Sequence, residues 1–275
     1  MIKTAIVPVS GYGTRRLPIT KAIEKCMLPI GNRPIIDYVV EDCIKAGITD
    51  IYFVVSSDST QVKGYYGHNK KFEEYLVKNN KTDQIKMLTP PENVNFHYVV
   101  QDPNGKYGTT IPVALVAEKI GFDESVVVVM GDDFLYHRNG DSDIKNLIEK
   151  CNDGEAAMLG VEVSAEEVSK YGVIEKDSDN KFIQIVEKPS TNDAPSNLIN
   201  VSKYIMPPKL LKLVSEHSKS ELDGEYLIPD PINEFVAGGG VMRVVPAIGE
   251  YMDGGTLAGW LDANAIIGKD LLAKS

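Results

Sequence analysis

The stretch that decides the fold is Lys3–Pro29, KTAIVPVSGYGTRRLPITKAIEKCMLP. Its apolar beginning, KTAIVPV, predicts a buried strand, and Gly11 and Gly13 follow it closely. Glycines after a first strand let backbone N–H groups approach a phosphate, because no Cβ stands in the way. Residues 11–29 of this segment carry a charge of +3, from Arg15, Arg16, Lys21, Lys25 and Glu24, in a chain of formal net charge −10. An anionic ligand is therefore expected at this loop.

Strand-like and helix-like segments alternate through the first half of the chain. Apolar runs such as VVVV (126–129) do not alternate with polar residues, which indicates strands covered on both faces of a parallel sheet. We therefore predict an α/β fold, a Rossmann-like open mixed, mostly parallel sheet flanked by helices. The second half predicts more hairpins, including 171–189 with a turn at DSDNK, and a helix over 257–273. We expect one domain over 1–275, with a nucleotide-binding half at about 1–135 and a smaller β-rich half at about 136–275.

Composition excludes several classes of protein. The acidic balance, with a sequence pI of about 5.0, argues against a binder of nucleic acid or of membrane surfaces, both of which need a positive field. No run approaches the roughly 18 apolar residues of a membrane span. Cys26, Cys43 and Cys151 form neither a CxxC pair nor a disulfide framework, so a cytoplasmic location is expected.

Two common phosphate-binding loops are absent from this stretch. A Walker A loop requires GxxxxGK[ST], which residues 11–21 lack, and the dinucleotide fingerprint GxGxxG fails because position 16 is arginine. ATP hydrolysis on a P-loop and NAD-linked redox chemistry therefore lose their best sequence signature. The motif GxG by itself is weak, since many α/β proteins use a glycine there only to make the turn.

The whole segment 7–48 resembles the signature of sugar-phosphate nucleotidylyltransferases. YGVIEKD, IVEKPSTNDAPSNLINVSKYIM and YMDGGTLAGWLDA stand where that family has its sugar-binding and second metal motifs. The block 187–205 is more similar to the uridylyltransferases than to their thymidylyl and cytidylyl relatives. The resemblance implies an enzyme that joins a sugar 1-phosphate to the α-phosphorus of a nucleoside triphosphate, with UTP and glucose 1-phosphate as substrates.

This reaction needs positive charge more than a base, because its nucleophile is already an anionic phosphate oxygen. By resemblance, the nucleotide is bound by Gly11, Gly13, Thr14, Gln101 and Gly108, the last two at the base. Arg15 and Lys25 carry the catalytic charge on the phosphates. Arg16 and Lys21 are interpreted as a solvated basic face.

The resemblance also supplies a metal pair and a sugar-phosphate site. Asp132, after VVVVMG, and Asp253, in MDGGT, are expected to hold Mg²⁺, which takes one or two carboxylates besides phosphate oxygens. Asp133 has no assigned role. The sugar phosphate is expected to contact Tyr171, Gly172, Glu187 and Lys188, and Lys188 is also expected to assist catalysis.

Five positions depart from the family pattern and leave the exact substrates open: Glu24, Cys26, Lys106, Ser202 and Leu227. One alternative is the same fold acting on dTTP or another sugar phosphate. Another is a homologue that binds a nucleotide sugar without catalysis, although such a module has no need of the full charge set. A homo-oligomer is expected from the family alone.

Overall fold

The computed structural model describes residues 2–274, with thirteen strands and eight α-helices in that range. The strands are β1 (Thr4–Pro8), β2 (Pro29–Ile30), β3 (Arg33–Pro34), β4 (Asp50–Ser56), β5 (Asn95–Gln101), β6 (Val126–Val129), β7 (Phe134–Tyr136), β8 (Ala156–Glu162), β9 (Gly172–Lys176), β10 (Phe182–Glu187), β11 (Leu198–Met206), β12 (Met242–Pro246) and β13 (Glu250–Met252). The helices are α1 (Ile35–Lys45), α2 (Gln61–Tyr65), α3 (Lys70–Lys78), α4 (Thr110–Ile120), α5 (Asp143–Lys150), α6 (Pro208–Lys219), α7 (Pro229–Ala237) and α8 (Leu257–Lys274).

A nine-stranded sheet runs through both halves of the chain. Seven strands follow the order β10-β9-β11-β6-β1-β4-β5. Strand β8 also pairs with β11, and β12 pairs with β8. Strand β1 is parallel to β4 and β6, and β4 is parallel to β5. Strand β11 is antiparallel to β6, β8 and β9. The predicted open, mixed α/β sheet is confirmed. The first half of the chain builds the parallel strands β6-β1-β4-β5, and the second half adds one parallel pair, β8 and β12.

Both faces of the sheet are covered, as the uninterrupted valine run predicts. Val127 and Val129 join one hydrophobic cluster with residues of α1, α5 and α8, whereas Val126 and Val128 join a second cluster with residues of α4, α6 and α7. Successive side chains of a strand point to opposite faces, so a strand between two helix layers is apolar at every position. Because β1 and β6 are parallel neighbours, with Ile6 paired to Val128, their carboxyl ends lie side by side.

The predicted helix at 257–273 corresponds to α8, and the predicted hairpin at 171–189 is β9 and β10. Helices α2, α5 and α7 were missed, because each has only 5 to 9 residues, too few for a clear apolar periodicity. Within residues 2–274, no helix is both long and apolar enough to cross a membrane.

A bulge in β11 brings a lysine into the interior. The pairing of β11 with β8 is irregular between Asn200 and Tyr204, and Ser202 has a φ of 52°, in the left-handed region that favours glycine. Lys203, whose side chain is only 2% exposed, forms an ion pair with Asp133 and donates to Val201 O at 3.2 Å. This pair ties β11 to the segment that follows β6.

Replacing Asp133 by asparagine should leave the Lys203 ammonium buried without a counter-charge. We expect the free energy of unfolding to fall by about 3 kcal/mol, as is typical when one partner of a buried pair is removed. Urea denaturation of the parent, Asp133→Asn, Lys203→Met and the double variant measures this. The double variant should be clearly more stable than Asp133→Asn. If the loss of unfolding free energy in the double variant equals the sum of the losses in the two single variants, Asp133 and Lys203 do not interact directly.

Candidate active site

The loop after β1 has an irregular backbone. It contains three short 3-10 turns, Thr14–Arg16, Ile19–Lys21 and Lys25–Met27. Gly13 has a φ of 63°, and a Cβ there would lie 3.0 Å from Lys25 Cβ. Thr20 Oγ1 donates to Gly13 O at 3.0 Å. The backbone of Gly13 is thus bound to another residue of the same loop, and the aliphatic part of the Lys25 side chain packs against it.

Glu24 fastens this loop to the segment that follows β4. Its carboxylate accepts hydrogen bonds from Ser59 Oγ (2.8 Å), Thr60 N (2.8 Å) and Gln61 N (2.7 Å). In return, Gln61 Oε1 accepts from Glu24 N at 3.0 Å. A proline, which the family resemblance has at position 24, could make none of these contacts, because it has neither the carboxylate nor the N–H. The departure at Glu24 therefore has a structural reason, and we call this set of contacts the Glu24 clasp.

Lys25 and the two predicted metal aspartates converge on one point. Lys25 Nζ forms an ion pair with Asp132 Oδ2, and the side chain of Lys25 is mostly buried. The position that a Cβ of Gly255 would occupy lies 3.1 Å from Asp253 Oδ1, 3.6 Å from Lys25 Nζ and 3.7 Å from Asp132 Oδ2. The structure therefore brings together three charged side chains that are far apart in the sequence.

The interpretation of Arg16 as a solvated residue is wrong. Arg16 is only 3% exposed, and its Nη1 donates to the backbone carbonyls of Gly254 (3.2 Å) and Thr256 (2.5 Å). Its guanidinium lies 5.0 Å from the ring centroid of Trp260. The neighbouring Arg15 is exposed, and so is Lys21, as predicted. The two adjacent arginines therefore have different environments, one at a cavity and one inside the protein.

A cavity of about 370 Å³ opens beside β1 and β5 and contains the predicted base-binding residues. Gly11, Lys25, Gln101, Gly108 and Asp132 line it. Ser10 Oγ donates to Gln101 Oε1 at 2.6 Å, and the Gln101 amide nitrogen has no hydrogen-bond partner among residues 2–274. This amide group remains available as a donor to a ligand.

Contacts within the protein require a glycine at position 108. Its φ is 116°, and a Cβ there would lie 2.4 Å from Tyr226 O. The close approach of the Tyr226 backbone, rather than that of a base, therefore excludes a side chain at this position.

A second cavity, of about 1220 Å³, contains the predicted sugar-phosphate residues. Its lining includes Arg15, Asp253, Tyr171, Gly172, Glu187 and Lys188. Asp132, Met130 and Thr109 line both cavities, so the two meet at Asp132. Gly13 and Thr14 line neither of the two cavities. Lys188 has a φ of 45°, and its Nζ lies 3.8 Å from Glu187 Oε1, with both side chains more than half exposed.

Burial and like charge dominate the electrostatics beneath the site. Burial raises the pKa of Asp133 to about 6, Lys203 opposes the rise, and the neighbouring Asp132 and Asp253 add to it. Burial, then Asp133 and Asp253, raise the pKa of the Tyr251 hydroxyl, which donates to Asp133 Oδ2 at 3.3 Å. Asp133 is therefore a structural carboxylate that supports β11 and β13, not a free ligand.

The donor set fits a cation that shares its coordination with a substrate. No group of three or more His, Cys, Asp or Glu side chains within residues 2–274 could hold a metal ion alone. Asp132 and Asp253 offer carboxylate oxygens, which suit Mg²⁺ bound through two carboxylates, phosphates and water. A site of this kind is completed only when a phosphate-bearing ligand enters.

Sequence reasoning missed Lys203, Tyr251, Gln61 and the buried role of Arg16. A lysine inside the apolar strand LINVSKYIM was a signal for a buried ion pair, since lysine is almost never fully buried unless paired. Nothing local signalled Gln61 or Arg16, because their partners lie 37 and 238 or more residues away.

The sequence model of the family described as nucleotidyl transferase matches residues 4–270. This chain belongs to the nucleotidyl transferase family. Similar relatives are named UTP–glucose-1-phosphate uridylyltransferase. One, of Mycoplasma genitalium, is 31% identical over 99% of this chain and 95% of its own length. Another, of Pseudomonas aeruginosa, is 31% identical over 96% of this chain and 95% of its own.

Solved structures of related nucleotidyl transferases share the fold. The UTP-bound UGPase of Acinetobacter baumannii has a TM-score of 0.87 at 28% identity, covering 98% of this chain and 94% of that one. A UDP-glucose pyrophosphorylase complexed with UDP-glucose has a TM-score of 0.80 at 30% identity, covering 98% of this nucleotidyl transferase and 100% of the other chain. The family expectation drawn from the sequence motifs is confirmed.

Replacing Glu24 by alanine should leave the donors of Ser59, Thr60 and Gln61 without their carboxylate. We expect a loss of about 2 kcal/mol in the free energy of unfolding, because charge-assisted hydrogen bonds are the strong ones. Urea denaturation measures it. Glu24→Gln keeps one acceptor oxygen and should lose less than half as much. The exposed Glu92→Ala is the matched control, and a loss at Glu92 as large as at Glu24 would contradict the clasp.

Proposed function

We propose that this protein transfers the uridylyl group of UTP to glucose 1-phosphate, giving UDP-glucose and pyrophosphate. The observation that carries the proposal is the meeting of two cavities at Asp132, with Lys25 bound to that aspartate. Such a junction lets two phosphate-bearing substrates meet at one charged point. The names of the relatives, and the UTP and UDP-glucose in the titles of the related structures, support the choice of substrates.

In this proposal the smaller cavity takes the base of UTP. The free amide nitrogen of Gln101 donates to a carbonyl oxygen on the base edge, and uracil carries carbonyl oxygens where cytosine presents an amino donor. Gln101 therefore favours uracil over cytosine. Thymine carries the same carbonyl pattern, so dTTP is the nucleotide that the test must separate from UTP.

The phosphates of both substrates would lie between the two cavities. Arg15 lines the larger cavity and is exposed, so it is free to bind the triphosphate and the leaving pyrophosphate. We expect Lys25 Nζ to leave Asp132 for an α-phosphate oxygen when UTP binds. That exchange places positive charge where negative charge develops in the transition state.

A divalent metal is general in this family, and we propose Mg²⁺ for this chain. Asp132 and Asp253 would hold it, and its charge would neutralise the phosphate oxygens around the reacting phosphorus. Release of Lys25 from Asp132 leaves that carboxylate free to serve as a ligand. Asp133, already paired with Lys203, stays in its structural role.

The larger cavity would hold glucose 1-phosphate. Glu187 accepts hydrogen bonds from the sugar hydroxyls, with Tyr171 and Gly172 beside it, and Lys188 binds the sugar phosphate. The contact between Lys188 and Glu187 is long and exposed, so it is easily exchanged for substrate contacts. No general base is needed, because the attacking phosphate oxygen is already ionised.

The substrates are tested with purified protein, Mg²⁺, glucose 1-phosphate and each of UTP, dTTP, CTP, ATP and GTP. Pyrophosphate should be released fastest with UTP, with CTP far behind because of the Gln101 contact. A clear preference for dTTP would reject the uridylyl assignment and leave the reaction class intact. Binding of nucleotides without any release of pyrophosphate would favour the non-catalytic alternative.

The role of the basic loop is tested by Lys25→Ala against Lys21→Ala, which removes a cation from the exposed part of the same loop. Lys25→Ala should lower kcat by about a hundredfold, or roughly 2.7 kcal/mol in the barrier, because the charge on the α-phosphate is lost. Lys21→Ala should change kcat little. Steady-state kinetics at saturating substrates gives both values. A larger loss at Lys21 would mean that the wrong cation has been assigned to the phosphates.

A further inference from the structure

Arg16 is buried in the middle of an exposed loop. Arg15 before it and Leu17 after it are both exposed, whereas the Arg16 side chain runs inward to the turn that follows Asp253. There its Nη1 bridges the carbonyl oxygens of Gly254 and Thr256, and its guanidinium faces the ring of Trp260. One side chain of the loop that carries Arg15 and Lys25 therefore reaches a turn near the other end of the chain.

The turn that Arg16 holds is the one that orients Asp253. The Asp253 carboxylate accepts from Gly255 N at 2.8 Å and from Thr256 Oγ1 at 2.8 Å. The carbonyls of Gly254 and Thr256 point to Arg16 from the same turn. One set of contacts fixes the carboxylate and the other fixes the backbone that carries it.

Trp260 makes a second connection between the same two segments. Its Nε1 donates to Pro29 O at 2.8 Å, at the end of the loop, while its ring lies against Arg16. Cation–π contacts of this kind add roughly 0.5–2 kcal/mol, depending on desolvation. The first turns of α8 thus contact the middle of the loop at Arg16 and its end at Pro29, around the point where Lys25, Asp132 and Asp253 converge.

An arginine is a costly choice here if packing alone is required. Its Nε and Nη2 are buried and have no hydrogen-bond partner among residues 2–274. An apolar side chain of similar length would fill the same space without these desolvated donors. Unlike an apolar side chain, the guanidinium supplies the bridge between two carbonyls together with a positive charge near Asp253.

We propose that Arg16 is a positioning residue that aligns Asp253 with the loop of Arg15 and Lys25. The inference rests on the proposed function, in which Asp253 acts opposite Asp132. Arg16 contacts no reacting atom and acts through the turn at 253–256. We therefore expect nucleotide binding at the loop to change the environment of Trp260, which contacts the loop through Arg16 and Pro29.

Trp260 is the single tryptophan of the chain, so its fluorescence reports this contact directly. The variants are Arg16→Met, which keeps an unbranched side chain but removes the charge and the donors, and Arg16→Lys, which keeps the charge but is shorter and has no planar guanidinium to face Trp260. Lys21→Met is the matched control, since it makes the same charge change at an exposed position of the same loop. Far-UV circular dichroism checks whether each variant is folded.

We expect Arg16→Met to lower kcat at least tenfold, or about 1.4 kcal/mol, while the KM for UTP changes less than threefold. Its Trp260 emission should shift to longer wavelength, and the change in emission that Mg²⁺ and UTP cause in the parent should fall by at least half. Arg16→Lys should lower kcat at least fivefold. Lys21→Met should match the parent in kcat and in emission.

Parent-like kcat and parent-like Trp260 response in Arg16→Met would overturn the inference, and so would an equal loss in Lys21→Met. If Arg16→Met does not fold, Arg16→Lys decides, and a kcat within twofold of the parent would overturn it. The proposed function fails separately, when the parent itself makes no UDP-glucose. In that case the Trp260 emission of parent and Arg16→Met, without and with Mg²⁺ and UTP, still tests the positioning role.

Discussion

The ion pair between Lys25 and Asp132 is the interaction on which the rest of the site depends. It exists because β1 and β6 are parallel neighbours, so that the loops after both strands leave the sheet at the same edge. Each loop alone is unremarkable, one basic and one acidic. Brought together, they place a cation and a carboxylate where two cavities meet, in a protein whose overall charge would otherwise repel two polyanionic substrates. The basic loop therefore supplies local positive charge in a protein of negative net charge.

The basic loop keeps its shape through contacts to distant parts of the chain. Arg16 joins it to the turn after Asp253, and the Glu24 clasp joins it to the start of α2. Between these anchors the loop has only one short 3-10 turn, Ile19–Lys21, which by itself is a weak structure. Lys25 follows Glu24 directly, so the clasp limits the positions that the ammonium can reach.

Most of the fold could be predicted from the sequence, because apolar periodicity is a local signal. The run Val126–Val129 indicated a strand covered on both faces, and the structure distributes its side chains between two helix layers. The site residues expected from the motifs line two joined cavities, except Gly13 and Thr14. The burial of Arg16 could not be predicted, since its partners belong to a turn at the other end of the chain. A basic residue in a basic loop gives no sign of which way its side chain points.

The departures from the family pattern are explained to different degrees. Glu24 forms the clasp, and Lys106 binds the carbonyls of Ser218 (3.2 Å) and Ser220 (2.7 Å) at the end of α6. Ser202 adopts a left-handed backbone where a glycine would be unstrained, next to the buried pair of Lys203 and Asp133. Leu227 lines the larger cavity and Cys26 the smaller one. Nothing in the structure explains why these two positions differ from the family.

The central claim is that both substrates occupy the joined cavities together, so that the uridylyl group passes directly between phosphates. Exchange of radiolabelled pyrophosphate into UTP tests it most directly, with Mg²⁺ present and glucose 1-phosphate and UDP-glucose absent. Direct transfer predicts no exchange under these conditions and rapid exchange once glucose 1-phosphate is added. Exchange without any sugar phosphate would reveal a covalent uridylyl-enzyme and contradict the account.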